Sequence, residues 1–336
     1  MTQKMGGNPD PPVFVVGCGR SGTTLLRLML DSHPDLAIPG ESHFVPTLWR
    51  ARGHYIADGV LDVDRLVGAI VRSREFHQWG VPEELARRRV QDLRPTTFGG
   101  VLEAVYLAYA DHRGKRRWGD KTPQYVRIIP LLHELFPDAR FVHIIRDGRD
   151  VALSYLSVPW GPRDIWTAAR KWRRDVSAGR TAGSALGPER YLEITYERLV
   201  AEPKQTLEEV CAFAALPFDE RMLQHHRDAD RRLEAPADET EFHAASTRAV
   251  TSGLRDWRSQ MSPAHVMSFE AVAGPLLSDL GYERRHVSLP VGSRIRAALR
   301  MRALDVSVAV RRAARSAKAT LRTMAFGRPA GVEVDG

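Results

Sequence analysis

The sequence predicts an α/β domain, a parallel sheet flanked by helices with a helical insertion and a C-terminal basic helix. Three observations carry the prediction. In "VFVVGCGRSGTTLLRLML", residues 13–30, four apolar residues run into Gly17 and Gly19, and Leu25, Leu26, Met29 and Leu30 then recur at helical spacing. A second near-continuous apolar run, Phe141 to Ile145, ends in "RDGRD". A third, Tyr191 to Thr195, precedes a helix from Pro203 to Ala215. Apolar strands alternating with helices belong in a parallel sheet covered on both faces, whose ligands sit at the carboxyl ends of the strands.

The remaining elements follow in order. Ser32-His33-Pro34 ends the first helix, and Leu36 to Ile38 reads as a short second strand leading into "PGESHF". Residues 62–112 carry three helical patterns, around Val63 to Val71, Pro82 to Val90 and Phe98 to Tyr109, an all-helical stretch of a helical insertion over 53–112 that is predicted to wall a cleft. The segment "RRWGDKTP" precedes a predicted helix over Val126 to Phe136. His143 alternates into its strand and reads as a core histidine, and the pair His225-His226 lacks the further ligands of a metal site.

Backbone N–H groups at a helix start are unpaired and point outward, so the first turn is an anion site. Gly17 and Gly22 have the spacing of G-x-x-x-x-G-K-[ST], but Thr23 stands where that pattern has lysine, and the positive charge has moved into the loop at Arg20. The turn is P-loop-like without the principal γ-phosphate contact. Arg20, Ser21, Gly22, Thr23 and Thr24 suit a smaller oxyanion, and a bare strand-to-helix turn is the structural alternative. Arg146 lies just past the second apolar strand, with Ser154 on the following helix, so both can close on one phosphate. A salt bridge from Arg146 to Asp147 or Asp150 is the alternative there.

Composition bounds the class. A chain of 336 residues with 43% hydrophobic content can build one large domain or two smaller ones. Two cysteines, Cys18 and Cys211, cannot make a disulfide framework, and "MTQKMGGNPDPP" has no apolar core like that of a signal peptide. A cytoplasmic location is expected, with Cys18 a polarizable filler of the loop. The net charge of +8 is concentrated at the end: residues 294–336 hold ten Lys or Arg against Asp305, Glu333 and Asp335. The basicity belongs to a tail and does not predict a nucleic-acid partner.

Taken together, "GRSGTT" and "RDGRDVALS" resemble the two signatures of sulfotransferases that use 3′-phosphoadenosine 5′-phosphosulfate (PAPS). The likeness covers roughly residues 12 to 285, with "DKTP", "ITYERLV" and "GLRDWRSQMSP" in the family's order. The run "RSGTTLLRLMLDSHPDLAIPGESHFVP" resembles the tyrosylprotein sulfotransferases and their bacterial relatives. Unlike those Golgi enzymes, the protein is expected to lack an N-terminal anchor and cysteine pairs. The expected acceptor is therefore a small-molecule, glycan or lipid hydroxyl.

The resemblance implies the roles. The first segment, Arg20 to Thr24, would cradle the 5′-phosphosulfate, and Arg146 with Ser154 would bind the 3′-phosphate. Glu41 in its "PGE" context matches the catalytic base, with His43 as runner-up. Arg20 and Lys121 are the cationic partners, Lys121 matching the family lysine that neutralises the bridging oxygen. Tyr196 resembles a tyrosine near the adenosine. Ser252, Arg255 and Arg258 flank Trp257 in the segment that covers the nucleotide, Arg255 being placed first for the 3′-phosphate. No metal is implied. The rivals are a P-loop nucleotide kinase and a non-catalytic anion-binding membrane adaptor.

The chain is thus divided into a catalytic domain, 12–288, with its insertion 53–112 on the acceptor side, and a tail, 289–336. In that tail Leu299, Ala303, Val306, Val310, Ala313, Ala317, Leu321 and Met324 fall on one helix face, with Arg300, Arg311, Arg315, Lys318 and Arg322 roughly opposite. Segment 294–324 is expected either to rest on an anionic membrane surface or to dock as a helix on protein.

Overall fold

The computed structural model describes residues 10–229 and 256–286, together with single positions 247, 292, 295, 299, 300, 302, 303 and 306. Ser252, Arg255 and most of the tail lie outside the described residues.

From the N-terminus, β1 (Val13–Gly17) leads through the glycine loop into α1 (Thr23–Asp31), and β2 (Leu36–Ala37) follows. Then come α2 (Val45–Arg50), a hairpin of β3 (Ile56–Ala57) and β4 (Val60–Leu61), and four helices: α3 (Val63–Val71), α4 (Arg74–Gln78), α5 (Glu83–Leu93) and α6 (Phe98–His112). The chain re-enters the sheet as β5 (Arg117–Lys121), crosses α7 (Ile129–Leu135), and returns as β6 (Arg140–Ile145). Helices α8 (Gly148–Leu156) and α9 (Ile165–Leu186) lead to β7 (Tyr191–Thr195), followed by α10 (Tyr196–Ala201) and α11 (Pro203–Phe213). After the undescribed stretch come α12 (Trp257–Gln260) and α13 (Pro263–Asp279).

The main sheet has the order β2-β5-β1-β6-β7, and every pairing in it is parallel. Successive strand residues face opposite sides. Phe14, Val16, Trp118 and Phe141 therefore pack under the insertion helices, whereas Val13, Val15, Val142 and Ile144 pack against α1 and α11. The first face is an aromatic layer, with Trp118 stacked on Tyr106 at 4.5 Å and Phe14 on Phe141 at 5.4 Å. Each such fully buried side chain contributes about 1.5–3 kcal/mol.

Two expectations need correction, and one strand was not predicted at all. From Val63 the insertion is helical, but before it Ile56–Leu61 turns back on itself around Asp58 and Gly59, both at positive φ, to form the hairpin. Arg117–Lys121 is a full interior strand although three of its five residues are charged; Arg117 is buried by donating to the Pro11, Ala214 and Ala215 carbonyls. The helix expected over Val126 to Phe136 is a 3₁₀ turn, Pro123–Arg127, then α7, since Pro130 takes the first turn of a new helix. His143 is buried, with Nδ1 2.6 Å from the Tyr191 hydroxyl, as a core histidine should be. Among the described residues no helix is long and apolar enough to cross a membrane.

Candidate active site

Strands β1, β5 and β6 end side by side, and their loops build one site. The first loop is shaped by backbone geometry. Arg20 and Gly22 both take positive φ, 72° and 93°, and Ser21 N–H closes the turn on the Cys18 carbonyl at 3.2 Å. Gly22 is required on a second count: a Cβ there would come within 2.4 Å of the Tyr196 ring. Ser21, Thr23 and Thr24 are buried at the start of α1, and the Ser21 hydroxyl is buried without a hydrogen-bond partner. Cys18 is buried 3.9 Å from the Tyr155 hydroxyl, and burial pushes its thiol up to about 12, so it fills space and does no thiolate chemistry.

The two anion loops touch. Arg20 Nε donates to Ser154 Oγ at 3.0 Å, so Ser154 bridges from α8 to the first loop. Arg146 is buried, with its guanidinium carbon 4.3 Å from the centre of the Tyr196 ring, and it reaches Asp150 at 3.9 Å. Its Nε is buried and unpartnered, like the Ser21 hydroxyl. Donors held inside a fold without acceptors are costly, and a phosphate oxygen is the natural acceptor for both. The residues therefore fit an anionic ligand.

Burial pushes the Asp150 carboxyl up to about 6 against the opposing charge of Arg146. Its other oxygen accepts from Trp257 N–H at 2.8 Å, tying α12 to the site. Beneath it, the fully buried Arg149 donates twice to Asp147, at 3.0 and 2.7 Å, and to Glu270 at 2.9 Å, with its guanidinium 3.6 Å over the Trp257 ring. Arg258 is exposed against that ring and pairs with Glu283 at 3.7 Å.

Glu41 follows β2 and Lys121 ends β5. Lys121 Nζ donates to Glu41 Oε1 at 2.6 Å and lies 3.5 Å from Thr24 Oγ1. His43 Nε2 is 2.9 Å from Glu41 Oε2. Burial pushes the Glu41 carboxyl up, but the charge of Lys121 and the bond from His43 outweigh it and hold the group far below the usual carboxylate range. Through the same bond His43 is raised above the ordinary histidine value. Asp120, adjacent in β5, does not pair with Lys121; it is buried and accepts from the Tyr106 hydroxyl at 2.9 Å.

Glu41, Lys121, Arg20, Ser21, Gly22, Thr23, Thr24, Arg146, Ser154 and Tyr196 thus gather at the carboxyl ends of β1, β5 and β6. In the sequence Asp150 shows only as a salt-bridge partner, through its i, i+4 spacing to Arg146, and Thr122 carries no such local signal.

A sequence profile of the sulfotransferase family matches residues 11–220. The protein-tyrosine sulfotransferase of Drosophila melanogaster is 24% identical over 281 residues, covering 81% of this chain and 52% of that protein. The nodulation protein NoeE of Sinorhizobium fredii is 27% identical over 304 residues, covering 81% and 66% respectively. The sulfotransferase domain of the Synechococcus olefin synthase matches with a TM-score of 0.59 at 25% identity, over 84% of this chain and 98% of that one. The chain belongs to the sulfotransferase family. Its core is a P-loop-like parallel sheet flanked by helices, and the kinase reading falls away.

Proposed function

We propose that Glu41 is the general base, Lys121 and Arg20 the charge partners, and the acceptor a hydroxyl on a small molecule, glycan or lipid. The observation that carries the assignment is the Glu41–Lys121 contact at 2.6 Å beside Thr24 of the phosphosulfate loop. Sulfuryl transfer needs a base for the acceptor proton and a cation where charge develops on the leaving phosphate. A carboxylate held by a lysine is a weak base. As Lys121 turns from Glu41 toward the leaving oxygen, Glu41 loses its neutralising partner and gains basicity when the acceptor proton must move. Arg20 supplies fixed charge from the loop, Thr23 and Thr24 donate to the 5′-phosphate, and Arg146 takes the 3′-phosphate with Tyr196 beside it. Ser252 and Arg255 are assigned to the covering segment, by resemblance alone.

The insertion 53–112 is assigned to the acceptor side. Trp79, between α4 and α5, donates to the Gly40 carbonyl at 3.0 Å, so the insertion packs directly on the base's turn. Transfer of label from radiolabelled PAPS to a phenol, a glycan, a lipid hydroxyl and a tyrosine peptide tests the acceptor. Product from one of the first three supports the reading; product from the peptide alone contradicts it.

We assign the chain to the cytoplasm, with domain 12–288 carrying catalysis and tail 289–336 resting on an anionic membrane surface. Exposure speaks against docking on the chain's own domain: Ile295, Leu299 and Val306 are 54%, 62% and 62% exposed. Full-length protein should co-sediment with anionic vesicles, less so in salt, and a chain ending at residue 289 should not. Failure of the intact chain to bind would reinstate docking and favour a soluble acceptor.

A further inference from the structure

Two adjacent residue pairs meet where the β2 turn crosses the end of β5. Glu41 and Lys121 form the outer pair. Directly behind them, Ser42 N–H donates to Thr122 Oγ1 at 2.9 Å, and Ser42 Oγ lies 3.3 Å from that oxygen and 2.8 Å from the Tyr125 hydroxyl. Ser42 and Thr122 are fully buried and Tyr125 nearly so. The buried Asp120 carboxylate and the Tyr106 hydroxyl join the same network, Asp120 bonding to both Ser42 and Thr122. Just beyond, His43 takes a φ of +20°, a conformation side chains rarely adopt, and Phe44 N–H turns back to the Ser42 carbonyl. This tight turn is what brings the Glu41 and His43 side chains together.

We propose that Ser42 and Thr122 form a buried clasp that sets the position of Glu41 against Lys121, making Thr122 a positioning residue for the transfer step. The proposal rests on the reading of Glu41 as base and Lys121 as its charge partner. The physical argument is one of register. Thr122 is covalently next to Lys121, and Ser42 is next to Glu41, so one hydrogen bond between the inner residues fixes the separation of the outer ones. Without Thr122 Oγ1, Ser42 N–H loses that acceptor inside the fold, and the turn must shift to satisfy it. A displacement of about 1 Å at a reacting group can cost about 10²-fold in rate.

The test compares Thr122→Val, which keeps the shape and removes the hydroxyl, with Thr122→Ser, which keeps the hydroxyl. Three readouts are taken on the full chain: PAPS consumption at saturating PAPS with water as acceptor, affinity for 3′-phosphoadenosine 5′-phosphate (PAP), and titration of the His43 ring by NMR. The clasp predicts that Thr122→Val lowers turnover by about tenfold or more and leaves PAP affinity nearly intact. It also predicts that His43 falls toward its ordinary value as Glu41 moves away, while Thr122→Ser preserves all three. A His43 titration and turnover unchanged in Thr122→Val would overturn the clasp, and so would equal losses in both variants, which would assign a packing role. If Thr122→Val does not fold, Ser42→Ala removes the hydroxyl bonds alone; a smaller His43 shift of the same sign is expected, and none overturns the proposal. Glu41→Gln serves as the separate control, since full turnover there would reject the base reading while leaving the Thr122 effect on His43 as it was measured.

Discussion

The Lys121 ammonium and the Glu41 carboxylate meet at 2.6 Å although 80 residues separate them in the chain. The contact fixes how Glu41 titrates. Burial alone would raise its carboxyl, and Lys121 with His43 reverses the sign. In the wild type Glu41 is ionised throughout the neutral range. The stability that this contact contributes is present above the unfolded glutamate value of about 4.3 and lost as pH falls through the lower folded value. In Lys121→Ala burial acts with less opposition, so kcat should fall about 10²-fold and acquire an acid limb, activity disappearing as pH drops through the raised Glu41 value. A pH profile of kcat checks this; a flat profile at reduced rate would mean that Lys121 does not govern Glu41.

Arg146 and Ser21 present buried donors without partners, so a ligand with phosphates at both ends should stabilise the fold. PAP should raise the melting temperature without magnesium, by mass action. Arg146→Ala should weaken PAP by about 10- to 100-fold, in line with loss of a charged hydrogen bond, and should leave adenosine 5′-phosphosulfate little changed. Calorimetric titration of both nucleotides decides, and equal losses would remove Arg146 from the 3′-phosphate.

Asp150 places a carboxyl beside the same guanidinium, 3.9 Å away. Because burial lifts it to about 6, it is ionised at pH 7.5 and opposes an arriving phosphate, and it is neutral at pH 5. Asp150→Asn should therefore bind PAP roughly fivefold more tightly at pH 7.5, equivalent to about 1 kcal/mol of like-charge repulsion, and should converge with the wild type at pH 5. Titration at the two pH values checks the sign; a constant ratio would show that Asp150 does not titrate in this window.

Much of this was legible in the sequence, and the reason is physical. Apolar strands such as Val13–Val16 and Phe141–Ile145 announce themselves because both faces are buried, and the glycine loop does so because Gly22 meets the Tyr196 ring. The β5 strand was hidden. Its Arg117, Asp120 and Lys121 look like a polar loop until each finds a partner from a distant segment, the Ala214 carbonyl, Tyr106 and Glu41 respectively. Partners far apart in sequence carry no local period, and for that reason the Ser42–Thr122 bond was invisible as well, whereas the i, i+4 pair of Arg146 and Asp150 was legible.

Arg149 is fully buried between Asp147 and Glu270 and stacks on Trp257. Arg149→Ala strips the guanidinium from the buried Asp147 and Glu270 carboxylates, leaving Glu270 only His286 and two backbone N–H groups, and should destabilise the fold by about 3–5 kcal/mol. Denaturant unfolding measures it. A loss under about 1 kcal/mol would place these charges in contact with solvent.

The most direct test of the central claim is turnover of radiolabelled PAPS by Glu41→Gln, which keeps the size and hydrogen bonding of the side chain and removes the base. Turnover should fall by about 10² or more with PAP affinity nearly that of the wild type. Near-normal turnover would contradict the account and move the base to His43.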